Sequence, residues 1–338
     1  MLTIDAATVR RLYPMARAIE DMRSAFTLFS SGRVRQPQRT ITPGDAEGEV
    51  LATMPAHVPL GAGNGPGAFG LKVIAVQPGN IAKGLDPHVG VVLLLDPGTC
   101  EPRAMLDATV ITEIRTAAAS AVATGVLARP DAEVIAVLGT GAQARSHIEA
   151  VSLVRPPREI RVWGRTAAHA QALAAEFADR LPVRAVPSVA EAVADADVVC
   201  TVTSSAEPVL DAAAVRPGTH INAVGAVFPG RRELTSDLVE RARVLTDSRQ
   251  SALSEAGDLL FPLREGRFGE EHVRGEIGEV LIGRCAGRTT KEEITVFESL
   301  GLAVQDVVAA WSVYDRAAAE GLGTRVRLTG TAHEGTGR

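Results

Sequence analysis

The chain contains 338 residues, of which 46% are hydrophobic, 4% aromatic and 22% charged, and its formal net charge is −5 at pH 7. This length suits two domains, or one domain with a large insertion. Because aromatic residues are scarce, the core must consist mainly of Ala, Val, Leu and Ile, which is typical of an α/β protein with a buried parallel sheet. The negative charge, without any basic block, argues against nucleic acid as a partner.

Cysteine usage and the first residues indicate a cytoplasmic protein. Cys100, Cys200 and Cys285 lie far apart and lack the spacing of a metal site, as expected of a reduced compartment. The N-terminal residues lack the long apolar core of a signal peptide, and no apolar run reaches about 18 residues, the length that spans a bilayer. We therefore expect no membrane partner and no bound metal.

The first 110 residues are predicted to form an α+β region with local antiparallel pairing. Apolar residues recur at helical spacing over 5–12 and 14–31. The segment Q-P-Q-R-T-I-T-P is predicted to be extended and contains Arg39. Two strand-like runs follow, V-L-A-T-M-P and F-G-L-K-V-I-A-V, and the second contains Lys72. A Gly/Pro-rich loop with His88 then leads into a hairpin with a D-P-G-T turn.

A helical pattern begins at Thr112 and reads T-E-I-R-T-A-A-A-S-A-V-A-T-G-V-L. Thr112 is expected to cap this helix, because a threonine hydroxyl can accept a hydrogen bond from an otherwise unpaired N–H group. That start would place Arg115 in the first turn.

The stretch 134–166 has the pattern of the first half of a dinucleotide-binding fold. An apolar run, V-I-A-V-L, is followed by the turn G-T-G-A-Q-A, a helical pattern and a second apolar run. The first glycine permits a tight turn, the second lets the backbone approach a pyrophosphate, and Ala144 replaces the third glycine of the motif. The N–H groups at the helix start would face the anion. The residues expected to bind the pyrophosphate are Gly139, Thr140, Gly141, Ala142 and Gln143.

The end of the second apolar run indicates which dinucleotide binds. An NAD site usually carries Asp or Glu there to hold the ribose 2′-hydroxyl. This chain has Gly164, Arg165 and Thr166 instead. A guanidinium and a hydroxyl can bind a 2′-phosphate, and no carboxylate is present to repel it. We therefore expect NADPH, with NADH possible. The alternative is that Arg165 is an ordinary solvated residue of a turn.

From 167 to 247 the pattern alternates helix and strand, which predicts a parallel sheet with helices on both faces. Helices are expected at 167–180 and 188–194, and strands at 183–186, 198–203, 220–224 and 244–247. Thr203, Val224 and Gly225 fall at strand ends, where they would line the ribose and the nicotinamide. The chain is then predicted to be helical over 299–319 and disordered over the Gly/Thr-rich tail 328–338.

Hydride transfer to a small acidic substrate needs cations that hold the charged groups of that substrate. Arg39, Lys72 and Arg115 are the candidates in the first domain. Lys72 has the apolar neighbours of a strand, and a buried lysine needs a partner or a function. Arg39 and Arg115 could instead each form a surface ion pair, and His88 could be a structural histidine.

Motifs from about residue 36 to 316 resemble those of the ornithine cyclodeaminase/mu-crystallin family, and they occur in the order found in the family. They are Q-P-Q-R-T, L-K-V, V-I-T-E-I-R-T-A-A-A-S-A, V-L-G-T-G-A-Q-A, H-I-N-A-V-G-A, R-R-E-L, D-S-R-Q-S-A-L-S-E-A-G-D-L-L and T-V-F-E-S-L-G-L-A-V-Q-D.

The resemblance implies an α/β protein with two domains. A Rossmann-type dinucleotide-binding domain is expected over 116–299, and a discontinuous α+β substrate-binding and dimerisation domain over 1–115 and 300–325. The family resemblance also implies a homodimer that closes over its substrate. Arg115, Thr116 and Gly301 are then further candidates for contact with the cofactor.

Two positions depart from the cyclodeaminases of the family. Those enzymes carry an Asp in the loop after V-G, where this chain has Val227, and a Glu where it has Ala52. Val227 cannot transfer a proton, which weighs against deamination. Alanine dehydrogenases of the family also keep an acid in that loop. The mu-crystallin-like ketimine reductases lack it, and their W-N-R-T segment resembles W-G-R-T here.

The resemblance and these departures predict NADPH-dependent reduction of a small carboxylate-bearing imine, such as Δ1-pyrroline- or Δ1-piperideine-2-carboxylate, to the amino acid. Arg39, Lys72 and Arg115 are expected to hold the carboxylate, and Lys72 also to supply a proton to the imine nitrogen. His88 and Val227 are expected to line the substrate. The alternatives are an alanine- or arginine-type dehydrogenase, an ornithine or lysine cyclodeaminase, and an NADPH-loaded ligand-binding protein with little turnover.

Overall fold

The computed structural model describes residues 1–46, 48–59 and 67–327, so the predicted disordered tail at 328–338 lies outside the described residues. The chain divides into two compact units. The first contains residues 1–14, 34–111 and those from 306 onward, and the second contains residues 15–33 and 112–305. Each unit is built around a sheet of its own.

Strands and helices are numbered in chain order over the described residues. Strands β1 to β15 comprise Leu2–Ile4, Thr40–Pro43, Val50–Val58, Ala68–Val76, His88–Leu95, Pro102–Asp107, Val134–Leu138, Glu159–Trp163, Val183–Ala185, Val198–Thr201, His220–Ala223, Arg243–Thr246, Val273–Glu276, Thr295–Glu298 and Thr324–Arg325. Helices α1 to α11 comprise Ala6–Leu12, Met15–Ser30, Ala108–Leu127, Ala142–Val154, Ala167–Phe177, Val189–Val193, Ser236–Arg241, Arg249–Glu255, Gly257–Arg264, Ile277–Leu281 and Ala303–Glu320.

The first unit has a mixed seven-stranded sheet of order β15-β1-β6-β5-β4-β3-β2. Strands β2 to β6 form an antiparallel meander, β1 runs parallel to β6, and β15 lies antiparallel to β1. Along β3 the residues alternate between a buried and a more exposed face, since successive side chains of a strand point to opposite sides. The predicted antiparallel pairing and the D-P-G-T hairpin are thus confirmed.

One loop prediction in this unit is wrong, because His88 is the first residue of β5 and pairs there with Val76. The connection before it contains a 3-10 turn at Pro78–Lys83 and ends near Asp86, whose carboxylate accepts the His88 N–H at 2.8 Å. The sequence also gives no sign of β1, because three residues are too few to reveal an alternating pattern.

The second unit has an eight-stranded parallel sheet of order β13-β12-β14-β11-β10-β7-β8-β9. Every residue of β7, β10, β11 and β14 is buried, as expected of strands covered by helices on both faces. The predicted alternation of helix and strand is confirmed, and β7 has the predicted bounds.

The C-terminal helix begins later than predicted, at Ala303 rather than near 299. The T-V-F-E segment before it is β14, which lies between β12 and β11 in the sheet. A short, fully buried strand and a buried helix cannot be told apart by hydrophobic periodicity, because both are apolar on all sides. Strand β13 is another element that the sequence prediction lacked.

Helix α2 packs in the second unit, whereas the predicted limits placed residues 15–33 in the first domain. Phe26 of α2 and Phe297 of β14 make an edge-to-face contact with ring centroids 6.1 Å apart. The Ser30 hydroxyl donates to the Glu276 carboxylate at 2.8 Å. Helical periodicity reveals the apolar stripe of α2, but the stripe alone does not identify the element against which it packs.

Helix α3 begins at Ala108, before the predicted start at Thr112. The cap is Asp107, whose Oδ1 accepts the Val110 N–H at 2.7 Å. Arg115 is therefore the eighth residue of α3 and does not lie in the first turn. By length and composition α3 could cross a membrane, but 83% of its apolar window is buried within the protein, as in a core helix.

Buried carboxyl groups cluster at the carboxyl edge of the parallel sheet. Glu233, Asp247, Asp258 and Glu298 are each at most 1% exposed. Asp258 accepts the N–H groups of Glu233 and Leu234 at 2.8 and 2.7 Å. Burial, to which the charge of Glu233 adds, raises the pKa of Asp258 to about 8. Burial and the neighbouring acidic charges raise the pKa of Glu298 well above its ordinary value.

We expect Asp258→Asn to flatten the dependence of stability on pH. Between the unfolded and the raised folded pKa of Asp258, the folded state binds the additional proton, so the free energy of unfolding falls as pH rises from about 4 to about 8. Asparagine keeps an oxygen for both N–H groups and does not ionise. Between pH 5.5 and 8 the free energy of unfolding, measured in urea, should therefore fall by at least ~1 kcal/mol less for the variant than for the wild type. If the free energy of unfolding of both proteins changed equally with pH, Asp258 would not be the group that binds this additional proton.

Candidate active site

The glycine-rich turn lies between β7 and α4, as predicted. Gly139 has a φ of +131°, and a Cβ there would come within 2.6 Å of the Val202 carbonyl oxygen, so both conformation and space require glycine. Gly141 is the N-cap of α4 and provides no side-chain cap. Among the described residues, apart from its two chain neighbours, a Cβ on Gly141 would meet no atom within 4 Å. Packing therefore does not require this glycine, whereas close approach of an anion to the helix N–H groups would.

The residues after the turn also fit a bound dinucleotide. Gln143 has a buried side-chain oxygen that finds no hydrogen-bond partner among the described residues. A side-chain amide can donate to a phosphate oxygen or accept from a ribose hydroxyl. Ala142 begins α4, and Ala144 is 0% exposed in the core cluster that includes Ile135 and Val137. The small side chain of Ala144 lets the helix pack closely on the sheet, which is the role of the third glycine in the motif.

The loop after β8 lies against the glycine-rich turn. A Cβ on Gly164 would come within 2.5 Å of the Thr140 side chain, so the two loops are in contact. Arg165 and Thr166 are exposed, and Arg165 makes no ion pair within the described part of the chain. Thr166 is the N-cap of α5, but its hydroxyl forms no capping hydrogen bond. A guanidinium and a hydroxyl beside a helix N-terminus fit a phosphate group.

The ends of β10 and β11 are joined by one buried side chain that the sequence prediction did not include. The Glu233 carboxylate accepts the Thr203 N–H at 2.6 Å and the Gly225 N–H at 2.7 Å. Val224 is 7% exposed, and the half-buried Val227 packs against the core of the unit. The loop after β11 thus presents apolar side chains and an N–H group that is already hydrogen-bonded.

Arg115 is 5% exposed, which excludes the alternative of a surface ion pair. Its guanidinium donates to Gln305 Oε1 at 3.1 Å, and Gln305 also accepts the Leu302 N–H at 2.9 Å. Gly301 has a φ of +85°, and a Cβ there would come within 2.7 Å of the guanidinium. The backbone of the Gly301 turn therefore lies directly against the Arg115 guanidinium. Thr116, the next residue of α3, is 8% exposed.

Asp247 holds the turn that contacts Arg115. Its Oδ2 accepts the N–H groups of Leu300 and Gly301 at 2.8 and 2.5 Å. Asp247 is 0% exposed and follows β12 directly. The backbone around Gly301 is thereby fixed by the sheet edge, which limits the positions that the Arg115 guanidinium can adopt.

Lys72 lies in β4 of the first unit and is 2% exposed. Its ammonium forms an ion pair with Asp306 Oδ1 at 3.0 Å, and Asp306 is 0% exposed in the first turn of α11. A Cβ on Gly70 would overlap with Val307, so glycine lets α11 lie close to β4. The sequence indicated that a buried Lys72 needs a partner, and the structure identifies Asp306.

His88 and Arg39 belong to the same unit as Lys72. Partial desolvation lowers the pKa of His88, the charge of Lys72 lowers it further, and the charge of Asp86 opposes both. His88 and Lys72 are thus within electrostatic range of each other. Arg39 is half-buried and directly precedes β2. Ala52 lies in β3 and is 6% exposed. The ligand-binding roles of Arg39, Lys72, His88 and Arg115 stay predictions.

Sequence reasoning missed the partners of the predicted site residues. Asp306, Gln305 and Glu233 occur in the V-Q-D and R-R-E-L motifs, but no role followed from the motifs alone. For Asp306 there was a usable signal, because an acid inside an otherwise apolar helical pattern must be exposed or paired. Glu233 follows two arginines in the sequence and therefore looks like part of a solvated charge cluster.

A family model described as the ornithine cyclodeaminase/mu-crystallin family matches residues 2–321. The chain is 38% identical over 331 residues to a Bacillus cereus protein named Delta(1)-pyrroline-2-carboxylate reductase, covering 97% of this chain and 100% of that protein. It is 39% identical over 300 residues to the Mus musculus protein named ketimine reductase mu-crystallin, covering 88% and 91%.

Two solved structures are similar over nearly the whole chain. One is Thermococcus litoralis Delta(1)-pyrroline-2-carboxylate reductase in complex with NADH and L-proline, with a TM-score of 0.92 and 34% identity, covering 96% of this chain and 100% of that one. The other is an archaeal alanine dehydrogenase dimer with bound NAD, with a TM-score of 0.91 and 34% identity, covering 97% and 99%. This chain therefore belongs to the ornithine cyclodeaminase/mu-crystallin family.

Proposed function

We propose that this protein reduces a small cyclic imine that carries a carboxylate, such as Δ1-pyrroline- or Δ1-piperideine-2-carboxylate, to the cyclic amino acid, with NADPH as the reductant. The observation that carries the proposal is the buried Lys72–Asp306 ion pair, an ammonium with a fixed position in an apolar strand. The relatives named Delta(1)-pyrroline-2-carboxylate reductase and ketimine reductase support the reaction class.

In the proposed mechanism, the protein supplies a proton to the imine nitrogen and binds the substrate carboxylate. Bound NADPH supplies the hydride that reduces the imine carbon. Lys72 holds a proton at its ammonium for the imine nitrogen, while Asp306 balances the ammonium charge. Arg39 and Arg115 bind the substrate carboxylate together with Lys72, and His88 and Val227 contact the rest of the substrate.

The proposed cofactor contacts follow the sequence prediction. Gly139 to Gln143 bind the pyrophosphate at the N-terminus of α4, and Arg165 with Thr166 binds the 2′-phosphate. Arg115, Thr116, Gly164, Thr203, Val224, Gly225 and Gly301 complete the proposed set. NADH is the alternative reductant, and the similar solved structures contain NADH or NAD.

We further propose that two copies of the chain associate through one face of the seven-stranded sheet. Three exposed apolar side chains lie on this face: Leu51, Phe69 and Val89, which are 42, 40 and 54% exposed. Leu51 and Val89 both pair with Ala75 of β4, and Phe69 lies an even number of residues before Ala75 in the same strand, so all three point to the same side. An apolar sheet face of this kind is typical of an association surface. The archaeal neighbour described as a dimer supports a second copy as the partner.

An amino-acid dehydrogenase is the second candidate, because the archaeal alanine dehydrogenase shares the fold at 34% identity. The apolar Val227 and Ala52 oppose a cyclodeaminase, since neither can transfer a proton. Steady NADPH consumption with cyclic imines would exclude a ligand-binding protein without turnover. A substrate panel of cyclic imines, 2-oxo acids with ammonia, and ornithine or lysine, followed by NADPH absorbance, separates these functions.

We expect Lys72→Met to lower imine turnover by about 10²- to 10⁴-fold, the usual contribution of a positioned acid, while NADPH binds within about twofold of the wild type. Because the single variant leaves a carboxylate buried without its cation, the double variant Lys72→Met/Asp306→Asn provides a folded comparison. The exposed Lys83→Met is the matched control and should retain wild-type rates. Full turnover by the double variant would refute the assigned role.

Arg165→Ala should weaken NADPH binding by about 10- to 100-fold and leave NADH binding nearly unchanged, because only NADPH has the 2′-phosphate that the guanidinium binds. Arg158→Ala, at an exposed ion pair before β8, is the control. Equal losses for both nucleotides, or no loss, would show that Arg165 is a solvated turn residue. Fluorescence titration with NADPH and with NADH measures the two affinities and hence their ratio.

Val89→Asp should convert a dimer into a monomer, since it places a charge on the apolar sheet face. The equally exposed Leu153→Asp on α4, 53% exposed in the wild type, serves as the control. Sedimentation equilibrium distinguishes the 35.4 kDa chain from its dimer. A wild-type protein that sediments as a monomer, or a variant that stays dimeric, would contradict this interface.

A further inference from the structure

We infer that Glu233 is a positioning residue for the nicotinamide half of the dinucleotide, because its carboxylate joins the loops that follow β10 and β11. The inference rests on the dinucleotide site of the proposed function. It does not depend on which substrate is reduced.

The geometry of Glu233 is that of a brace between two backbone segments. One carboxylate oxygen accepts the Thr203 N–H at 2.6 Å, and the other accepts the Gly225 N–H at 2.7 Å. The two segments follow neighbouring parallel strands, in which Thr201 is in register with Ala223. In parallel α/β sheets, ligands bind beyond the carboxyl ends of the strands, so the brace lies at the ligand edge.

The two loops are in close contact at Gly225 and Thr203. A Cβ on Gly225 would overlap with the Thr203 carbonyl oxygen and would also meet the Glu233 carboxylate. Glu233 is 0% exposed, so water does not replace its hydrogen bonds. A carboxylate is suited to this position, since it offers two acceptor oxygens to two N–H groups. An amide would turn an NH₂ group towards one of them.

The brace is itself held by a second buried acid. Asp258 Oδ1 accepts the N–H groups of Glu233 and Leu234 at 2.8 and 2.7 Å. The Glu233 carbonyl accepts the N–H groups of Val209 and Leu210 at 2.8 and 3.0 Å. The backbone of Glu233 is therefore fixed on both sides, and the position of its carboxylate is determined by the fold.

The adenosine half of the dinucleotide site has a different support. Its turn and the loop after β8 depend on Gly139, Gly164 and the contact with Thr140. Within the described part of the chain, the hydrogen bonds of the Glu233 side chain go to the ends of β10 and β11. Loss of the brace should therefore affect one half of the cofactor and spare the other.

The experiment compares the wild type with Glu233→Gln in binding NADPH and adenosine 2′,5′-bisphosphate, a fragment that lacks the nicotinamide ribose and ring. Isothermal titration gives both affinities, and the fluorescence of bound NADPH reports the environment of the ring. We expect NADPH to bind about 10- to 100-fold more weakly and the fragment to bind within about twofold. The fluorescence enhancement on binding should also fall.

Asp197→Asn is the matched control for a loss that is merely structural. The Asp197 carboxylate also braces backbone, since it accepts the N–H groups of Glu133 and Val134 at 2.9 Å, but it does so at the amino edge of the same sheet. This variant should lower the unfolding temperature and keep the ratio of the two affinities. Glu233→Asp, which keeps the charge on a shorter side chain, should recover part of the NADPH affinity.

Equal weakening of NADPH and the fragment by Glu233→Gln would overturn the inference, because it would show a general loss of structure. Unchanged NADPH affinity would also overturn it. The proposed function fails separately, if the wild type binds NADPH but reduces no cyclic imine. If the wild type prefers NADH, the same comparison is made with NADH and AMP, and the same outcomes apply.

Discussion

The buried ion pair between Lys72 and Asp306 is the interaction on which the proposed chemistry depends. An unpaired ammonium in the middle of an apolar strand would be strongly unfavourable, and removing one partner of a buried pair costs about 3–5 kcal/mol. Asp306 is 0% exposed at the start of α11, where the partial positive charge of a helix N-terminus also favours a carboxylate. The absence of a side chain at Gly70 allows the close approach of α11 that the 3.0 Å pair requires. The ammonium is thus held in place before any substrate binds.

The parallel sheet of the second unit meets a different constraint. The loops beyond its strands must expose N–H groups to a ligand, yet buried N–H groups that lack acceptors are costly. Different loops of the chain satisfy these two requirements. The turn after β7 leaves its helix N-terminus without a side-chain cap, whereas Glu233, Asp247 and Asp258 accept the N–H groups of the neighbouring loops. Burial and the neighbouring acidic charges raise the pKa of Asp258 to about 8 and raise the pKa of Glu298 well above its ordinary value.

The sequence predicted those elements whose structure depends mainly on residues that are close together in the chain. The apolar run of β7, the paired glycines and the small Ala144 could all be identified, because a strand, a tight turn and a closely packed helix each have a short-range pattern. The partners across the fold could not be identified in this way. Lys72 and Asp306 are separated by 234 positions, and nothing in either segment indicates the other. Strand β14 was missed because a four-residue segment buried on both faces has no periodicity of its own. Asp107, a cap one residue before α3, was overlooked because Thr112 offered an equally good signal.

The proposed reaction is a net reduction in which the dinucleotide delivers its hydride to an imine carbon. It can be tested directly with NADPH that carries deuterium at the transferable position of the nicotinamide, mixed with Δ1-piperideine-2-carboxylate or Δ1-pyrroline-2-carboxylate. We expect one deuterium at the α-carbon of the cyclic amino acid for each NADPH oxidised, as detected by mass spectrometry and proton NMR. A cyclic amino acid formed from lysine or ornithine without net oxidation of NADPH, and no deuterium transfer to the imines, would contradict it.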